Sequence, residues 1–117
     1  MIVGIGIDVC DITRFERVLA RTPALRERLF TPDERDLSIS SLAGRFAAKE
    51  ALAKALGATP GLRWHDVTVR RADGQAPWLD ISGTIAARSA ELGITHWHVS
   101  LSHDGGLASA VVIGERL

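Results

Sequence analysis

Asp8 and Glu50 are the two carboxylates whose surroundings best suit chemistry. Asp8 lies in an alternating segment, Ile2-Val3-Gly4-Ile5-Gly6-Ile7-Asp8-Val9, on the side otherwise occupied by Gly4 and Gly6. Glycines within a strand often mark close approach of another backbone or of a ligand. A carboxylate there, joined by Glu50, suits Mg2+, which takes one or two carboxylates and fills its other positions with water and substrate phosphate. The plainer alternative for Asp8 is a strand-end residue turning into a helix cap at Asp11. Lys54 follows Glu50 at i+4, a spacing that equally describes a routine surface ion pair worth a few tenths of a kcal/mol.

His103 ends the segment Val99-Ser100-Leu101-Ser102-His103-Asp104 at a glycine turn. Neighbouring strand residues point to opposite faces, so Ser102 and His103 do not form a nucleophile–base pair. A phosphate or leaving-group contact and a solvated turn histidine both fit the position. His65, His96 and His98 lack the H-x-x-x-H spacing of a zinc site. Cys10 has neither an evident base nor a CxxC partner and reads as buried packing. Arg14, Arg17 and Arg21 recur at i, i+3 and i+7, the pattern of a solvated helix face or of a dock for an acidic protein helix.

These residues must be held by a mixed set of elements. The first segment reads as a strand whose core face is Val3, Ile5, Ile7 and Val9. Asp11 and Thr13 offer N-caps to a helix carrying Ile12, Phe15, Val18 and Leu19, which stops at Thr22-Pro23. Thr31-Pro32-Asp33-Glu34 has the form of a capping box and predicts a short helix running out at Ser38–Ser41. The longest helical run is Leu42–Leu56, closed by Gly57. It lacks the usual division into apolar and charged faces. Large apolar residues (Leu42, Phe46, Leu52, Leu56) with Arg45 and Lys49 beside them occupy one side, and small residues (Ala43, Gly44, Ala47, Ala48, Ala51, Ala55) the other. Charges on such a helix are expected to be partly desolvated, or to snorkel along the apolar face. Strands at Val67–Arg70 and Trp78–Ile81 flank an Asp73-Gly74 turn, a helix spans Thr84–Leu92, and a hairpin joins Trp97–Ser102 to Leu107–Ile113. Helices and hairpins without a βαβ rhythm indicate an α+β fold.

The 117 residues suit one domain, 1–117, with little chain left to enclose a large ligand. Equal numbers of basic and acidic residues, 14 of each, argue against a nucleic-acid-binding domain. No apolar run approaches the roughly 18 residues of a membrane span, and the apolar start lacks a basic leader. A lone cysteine makes no internal disulfide. The expectation is a cytoplasmic protein with neither nucleic-acid nor membrane partners.

Taken together, the segments resemble the bacterial holo-[acyl-carrier-protein] synthases, small 4′-phosphopantetheinyl transferases. The resemblance rests on Gly4-Ile5-Gly6-Ile7-Asp8, on Arg14 and on Phe30-Thr31-x-x-Glu34. It continues through Ala43-Gly44-Arg45-Phe46-Ala47-Ala48-Lys49-Glu50-Ala51, Lys54-Ala55-Leu56-Gly57 and His98-Val99-Ser100-Leu101-Ser102-His103. It implies a mostly antiparallel sheet packed with a long central helix, assembled as a homotrimer with coenzyme A in clefts between subunits. It implies transfer of phosphopantetheine from coenzyme A to a serine of apo-acyl carrier protein, with Mg2+ held by Asp8 and Glu50. Glu50 and Lys54 would be catalytic, and Arg45, Lys54, Pro77 and His103 would contact coenzyme A. Arg14 and Arg21 would meet the acidic carrier protein. The sequence departs from the family pattern at Gly57-Ala58-Thr59-Pro60-Gly61, where Gly-Thr-Gly is usual, and at Gln75, which replaces the glycine of a Gly-x-Pro. The Glu34–Leu42 linker is also shorter than is common.

Two other readings use the same residues. A non-catalytic carrier-binding module would dispense with Asp8, Glu50 or Lys54, and all three are present. A Mg2+-dependent hydrolase of coenzyme A or related pyrophosphates would need the same metal and phosphate contacts, but not an arginine face. That face has a local basis, since five arginines and three acids stand between Asp11 and Phe30.

Overall fold

The computed structural model describes all 117 residues. In chain order they form β1 (Ile2–Asp11), α1 (Ile12–Arg21), α2 (Ala24–Leu29) and α3 (Ile39–Ala55). A 3-10 turn (Trp64–Asp66) precedes β2 (Val67–Arg70), β3 (Trp78–Ile81), α4 (Gly83–Leu92), β4 (His96–Asp104) and β5 (Leu107–Glu115). The antiparallel sheet β1-β5-β4 and the separate hairpin β2-β3 pack with α3, so the fold is α+β as expected. No helix is long and apolar enough to cross a membrane.

The helix-on-sheet contact is made by small residues. Ala108, Ala110, Val112 and Gly114 of the central strand β5 are all buried, and α3 turns Ala43, Ala47, Ala48, Ala51 and Ala55 into the core. The closest approach is at β1. A Cβ on Gly6 would lie 1.7 Å from the Ala51 carbonyl oxygen, and one on Gly4 would lie 2.1 Å from that of Ala55. The glycines therefore admit the backbone of α3, one of the two occupants their spacing allows.

This contact inverts the expected orientation of β1. Ile5, Ile7 and Val9 are not core residues: they are 59%, 65% and 56% exposed. Strict alternation is present, but the helix lies on the glycine side because only that side is thin enough. The strand register lines Ile5 beside Ile113, and Ile7 beside Val111. The outer sheet face is thus an exposed apolar surface.

Two local expectations also change. Thr31–Asp36 forms turns and no helix. Glu34 accepts from the Thr31 amide, as in a capping box, but its side chain is drawn into the core by Lys49. The preceding Ala24–Leu29 forms α2 instead. The long helix begins earlier than its apolar pattern suggests, at Ile39, where Ser38 caps the Ser41 amide at 3.2 Å. For α1 the cap is Asp11, accepting from the Arg14 amide at 2.9 Å.

Gly6→Ala should lower the melting temperature by more than about 10 °C, since its new methyl must displace helix backbone rather than a mobile side chain. Calorimetry of the purified variant checks this; a near-normal transition would contradict the proposed contact.

Candidate active site

Lys54, Asp8 and Glu50 come together where the C-terminal half of α3 crosses β1. Lys54 Nζ donates to Asp8 Oδ1 at 3.1 Å and to the Ile7 carbonyl at 2.9 Å. The expected Glu50–Lys54 surface pair is not formed, because Lys54 turns across to β1. Burial raises the Glu50 carboxyl above its ordinary pKa, the Asp8 charge raises it further, and Lys54 partly opposes both. Two partly buried carboxylates repel each other here and borrow the charge of one lysine. Such a pair of hard oxygen donors fits a divalent cation that keeps further positions for water or a phosphate. No cluster of three or more metal-ligating side chains occurs in the chain.

The other charges of α3 are buried more deeply. Lys49 is 1% exposed, and its ammonium does not snorkel. It donates to Glu34 Oε1 at 2.7 Å, to the Leu29 carbonyl at 2.8 Å and to the Trp64 carbonyl at 3.1 Å. The second oxygen of Glu34 accepts from the Val69 amide at 2.9 Å, and the Val69 carbonyl accepts from Arg45 Nε at 3.1 Å. Arg45 also donates to Ser41, one turn earlier on α3. Burial lowers its pKa from the ordinary value, and Glu34 counteracts this. Arg45 is therefore a fixed cation at the base of β2.

Two clefts flank these groups. One, of about 320 Å3, is walled by Cys10, Phe15, Val18, Leu25 and Phe46, and is lined by both Glu50 and Arg14. Phe15 stacks on Phe46 at 5.0 Å between ring centroids, stiffening one wall. The other cleft, of about 360 Å3, brings Arg45 together with Arg70, Arg71 and Trp78. Arg70 is held there by Asp33 and Asp80, leaving Arg45 and Arg71 as the cations free of carboxylate partners. Pro77 precedes β3 and does not line this cleft, whereas its neighbour Trp78 does. His103 lies against the first turns of α3, with Nε2 3.1 Å from the Ser40 carbonyl oxygen. Arg14 and Arg21 are exposed on α1 and make no ion pairs. Cys10 is buried, as expected, and burial raises its thiol pKa.

The chain matches the model of the 4′-phosphopantetheinyl transferase superfamily over residues 4–112. It is 62% identical over 116 residues to the holo-[acyl-carrier-protein] synthase of Beutenbergia cavernae, covering 99% of this chain and 100% of the relative. It belongs to the holo-[acyl-carrier-protein] synthases of that superfamily. The fold is similar to the Helicobacter pylori holo-[acyl-carrier-protein] synthase in complex with coenzyme A, at 35% identity and a TM-score of 0.81, covering 95% and 99% of the two chains. It is also similar to a holo-(acyl-carrier-protein) synthase from Bacillus anthracis in complex with CoA (3′,5′-ADP), at 35% identity and a TM-score of 0.80, covering 100% and 99%.

Within this synthase fold, Glu34, Arg71 and Trp78 join the surroundings of the site without a sequence signal that marks them for it. The Thr31-x-x-Glu34 pattern does mark Glu34, but as a helix cap, and nothing local announces a buried partner 15 residues away. Arg71 and Trp78 flank a turn and resemble ordinary exposed hairpin residues.

The raised Glu50 pKa has a definite stability sign. A folded-state pKa above the unfolded value stabilises the fold below the unfolded pKa and loses that contribution as pH rises through the folded pKa. Glu50→Gln should therefore melt higher than the parent at neutral pH without divalent cation. The difference should vanish below the ordinary glutamate pKa of about 4.3, as scanning calorimetry across pH would register.

Proposed function

We propose that Asp8 and Glu50 hold Mg2+ for transfer of 4′-phosphopantetheine from coenzyme A to a serine of apo-acyl carrier protein. Adenosine 3′,5′-bisphosphate is the second product. The observation that carries this reading is the position of Glu50. It shares one cluster with Asp8 and Lys54, and it also lines the apolar cleft that contains Arg14. A group in that position can serve both a pyrophosphate and an incoming hydroxyl.

When bound, Mg2+ supplies charge neutralisation to the pyrophosphate. Glu50, where it borders the cleft that would receive the serine hydroxyl, accepts the serine proton. The serine oxygen forms a bond to the phosphorus that carries pantetheine, and the bond from that phosphorus to the bridging oxygen breaks. Lys54 is released from Asp8 to stabilise charge on the departing phosphate. Such catalysis depends chiefly on positioning and charge. Arg45 and His103 hold the nucleotide phosphates, and Trp78, rather than Pro77, lines the cleft beside Arg45. Arg14 and Arg21 receive the acidic carrier protein, and their lack of ion pairs leaves them available.

A homotrimer with sites between subunits fits two features of the chain. Gly44, against which His103 lies, and Lys54 are ten residues apart on α3, about 15 Å along its axis. Each chain thus carries two separated groups of phosphate-binding residues. In addition, Ile5, Ile7 and Val9 form an apolar sheet face that a neighbouring copy would cover. The reaction and the unpaired cysteine suit a cytoplasmic enzyme.

Incubation with apo-carrier protein, coenzyme A and Mg2+ should increase the carrier mass by one phosphopantetheine; an unmodified carrier would refute the transfer. Asp8→Ala should reduce the Mg2+-dependent rate by at least about a hundredfold, as expected for a lost charge-stabilising contact. Arg14→Glu should mainly raise the carrier KM. For the assembly, Ile7→Asp should shift the mass measured by light scattering from trimer to monomer; an unchanged mass would exclude this sheet face as the contact.

A further inference from the structure

Gly44 is an anomaly in α3. A glycine inside a helix costs about 0.5–1 kcal/mol relative to alanine, and this helix otherwise uses alanine freely at its small positions. Gly44 is buried, so solvent exposure does not explain it. The space above it is occupied by one group. A Cβ at position 44 would lie 2.9 Å from His103 Nε2 and 3.1 Å from His103 Cε1, with Leu101 next at 3.8 Å. The alternation of β4 turns Trp97, Val99, Leu101 and His103 to the helix side, and His103 reaches α3 where the side chain of residue 44 is missing.

The contact also sets the orientation of the ring. The Ser40 carbonyl oxygen, 3.1 Å from Nε2, can only accept a hydrogen bond, so Nε2 is the protonated donor in this contact. Nδ1 is left as the nitrogen available to a ligand, and it donates to a phosphate oxygen in the imidazolium form, in which both ring nitrogens carry protons. We propose that Gly44 is a positioning residue for the transfer reaction: it seats His103 on the Ser40 carbonyl so that Nδ1 faces the coenzyme A phosphates. This inference rests on the reading of His103 as a phosphate contact. Gly44 itself touches no substrate, and its effect passes entirely through the imidazole.

The test titrates adenosine 3′,5′-bisphosphate into the parent protein, Gly44→Ala, His103→Ala and the double variant, with melting temperatures measured alongside. Gly44→Ala should melt at or above the parent, because alanine favours the helix and the displaced atoms end a mobile side chain. Its nucleotide affinity should nevertheless fall roughly tenfold, the scale of one hydrogen bond to a charged group. The double variant should bind no more weakly than His103→Ala alone, since both changes remove the same contact. Full affinity in Gly44→Ala, or additive losses in the double variant, would overturn the role of Gly44. His103→Asn keeps a donor near the Nδ1 position and should bind better than His103→Gln, which keeps one near Nε2; the reverse order would overturn the assignment of Nδ1. Carrier modification by the parent is measured separately, so failure of the transferase reading is distinguishable from failure of this one.

Discussion

The ion pair between Lys49 and Glu34 is the interaction on which the arrangement of the site depends. Both side chains are almost wholly removed from solvent. Burying two charges is expensive, and such a pair is weak evidence for stability by itself. What distinguishes it is the number of separate segments that satisfy it. The Lys49 ammonium is bound by the end of α2 and by the turn before β2, and Glu34 binds the β2 backbone at Val69. No buried polar side-chain atom in the molecule lacks a partner, so the pair is fully compensated. Because the Val69 carbonyl then receives Arg45, the pair also fixes a cation in the second cleft. One turn of α3 therefore connects packing to chemistry: Lys49 organises the surrounding loops, and Glu50, the next residue, lines the first cleft.

A second constraint is the thinness of the helix–sheet contact. Gly4 and Gly6 bring the α3 backbone against β1, and this contact carries Lys54 to the Ile7 carbonyl and the Asp8 carboxylate. With bulkier residues at those positions the helix would stand farther off, and Asp8 and Glu50 would not share one electrostatic environment. The same geometry turns the large apolar residues of β1 outward. Site formation and the exposed apolar sheet face thus have one cause.

The chemistry follows from a shortage of positive charge around two carboxylates and a surplus in the neighbouring cleft. Glu50 is destabilised in its ionised form by burial and by Asp8, and Lys54 supplies the available compensation. Arg45 and Arg71, by contrast, line their cleft without carboxylate partners. On the proposed reading, a cation occupies the first group and nucleotide phosphates the second. Both are features of phosphoryl transfer, where charge placement does most of the work.

The sequence by itself determined most elements, their order and the α+β class, because apolar periodicity and capping residues act over only a few positions. Its ordered motifs also identified the family, and the mixed faces of α3 left Arg45 and Lys49 either desolvated or snorkelling, a choice the structure resolves by burying both. Tertiary structure decided what those patterns left open. Alternation in β1 defines two faces but not which one meets the helix, and that was decided by how closely two backbones can approach at glycine. Thr31-x-x-Glu34 specifies a local cap, yet a lysine 15 residues away turned Glu34 inward and left turns in place of a helix. Lys54 likewise stood at ion-pair spacing from Glu50 but bonded across to Asp8, 46 residues distant. In each case the sequence named the group while a long-range partner chose its direction, since burial and Coulomb energies depend on distance in space rather than separation along the chain.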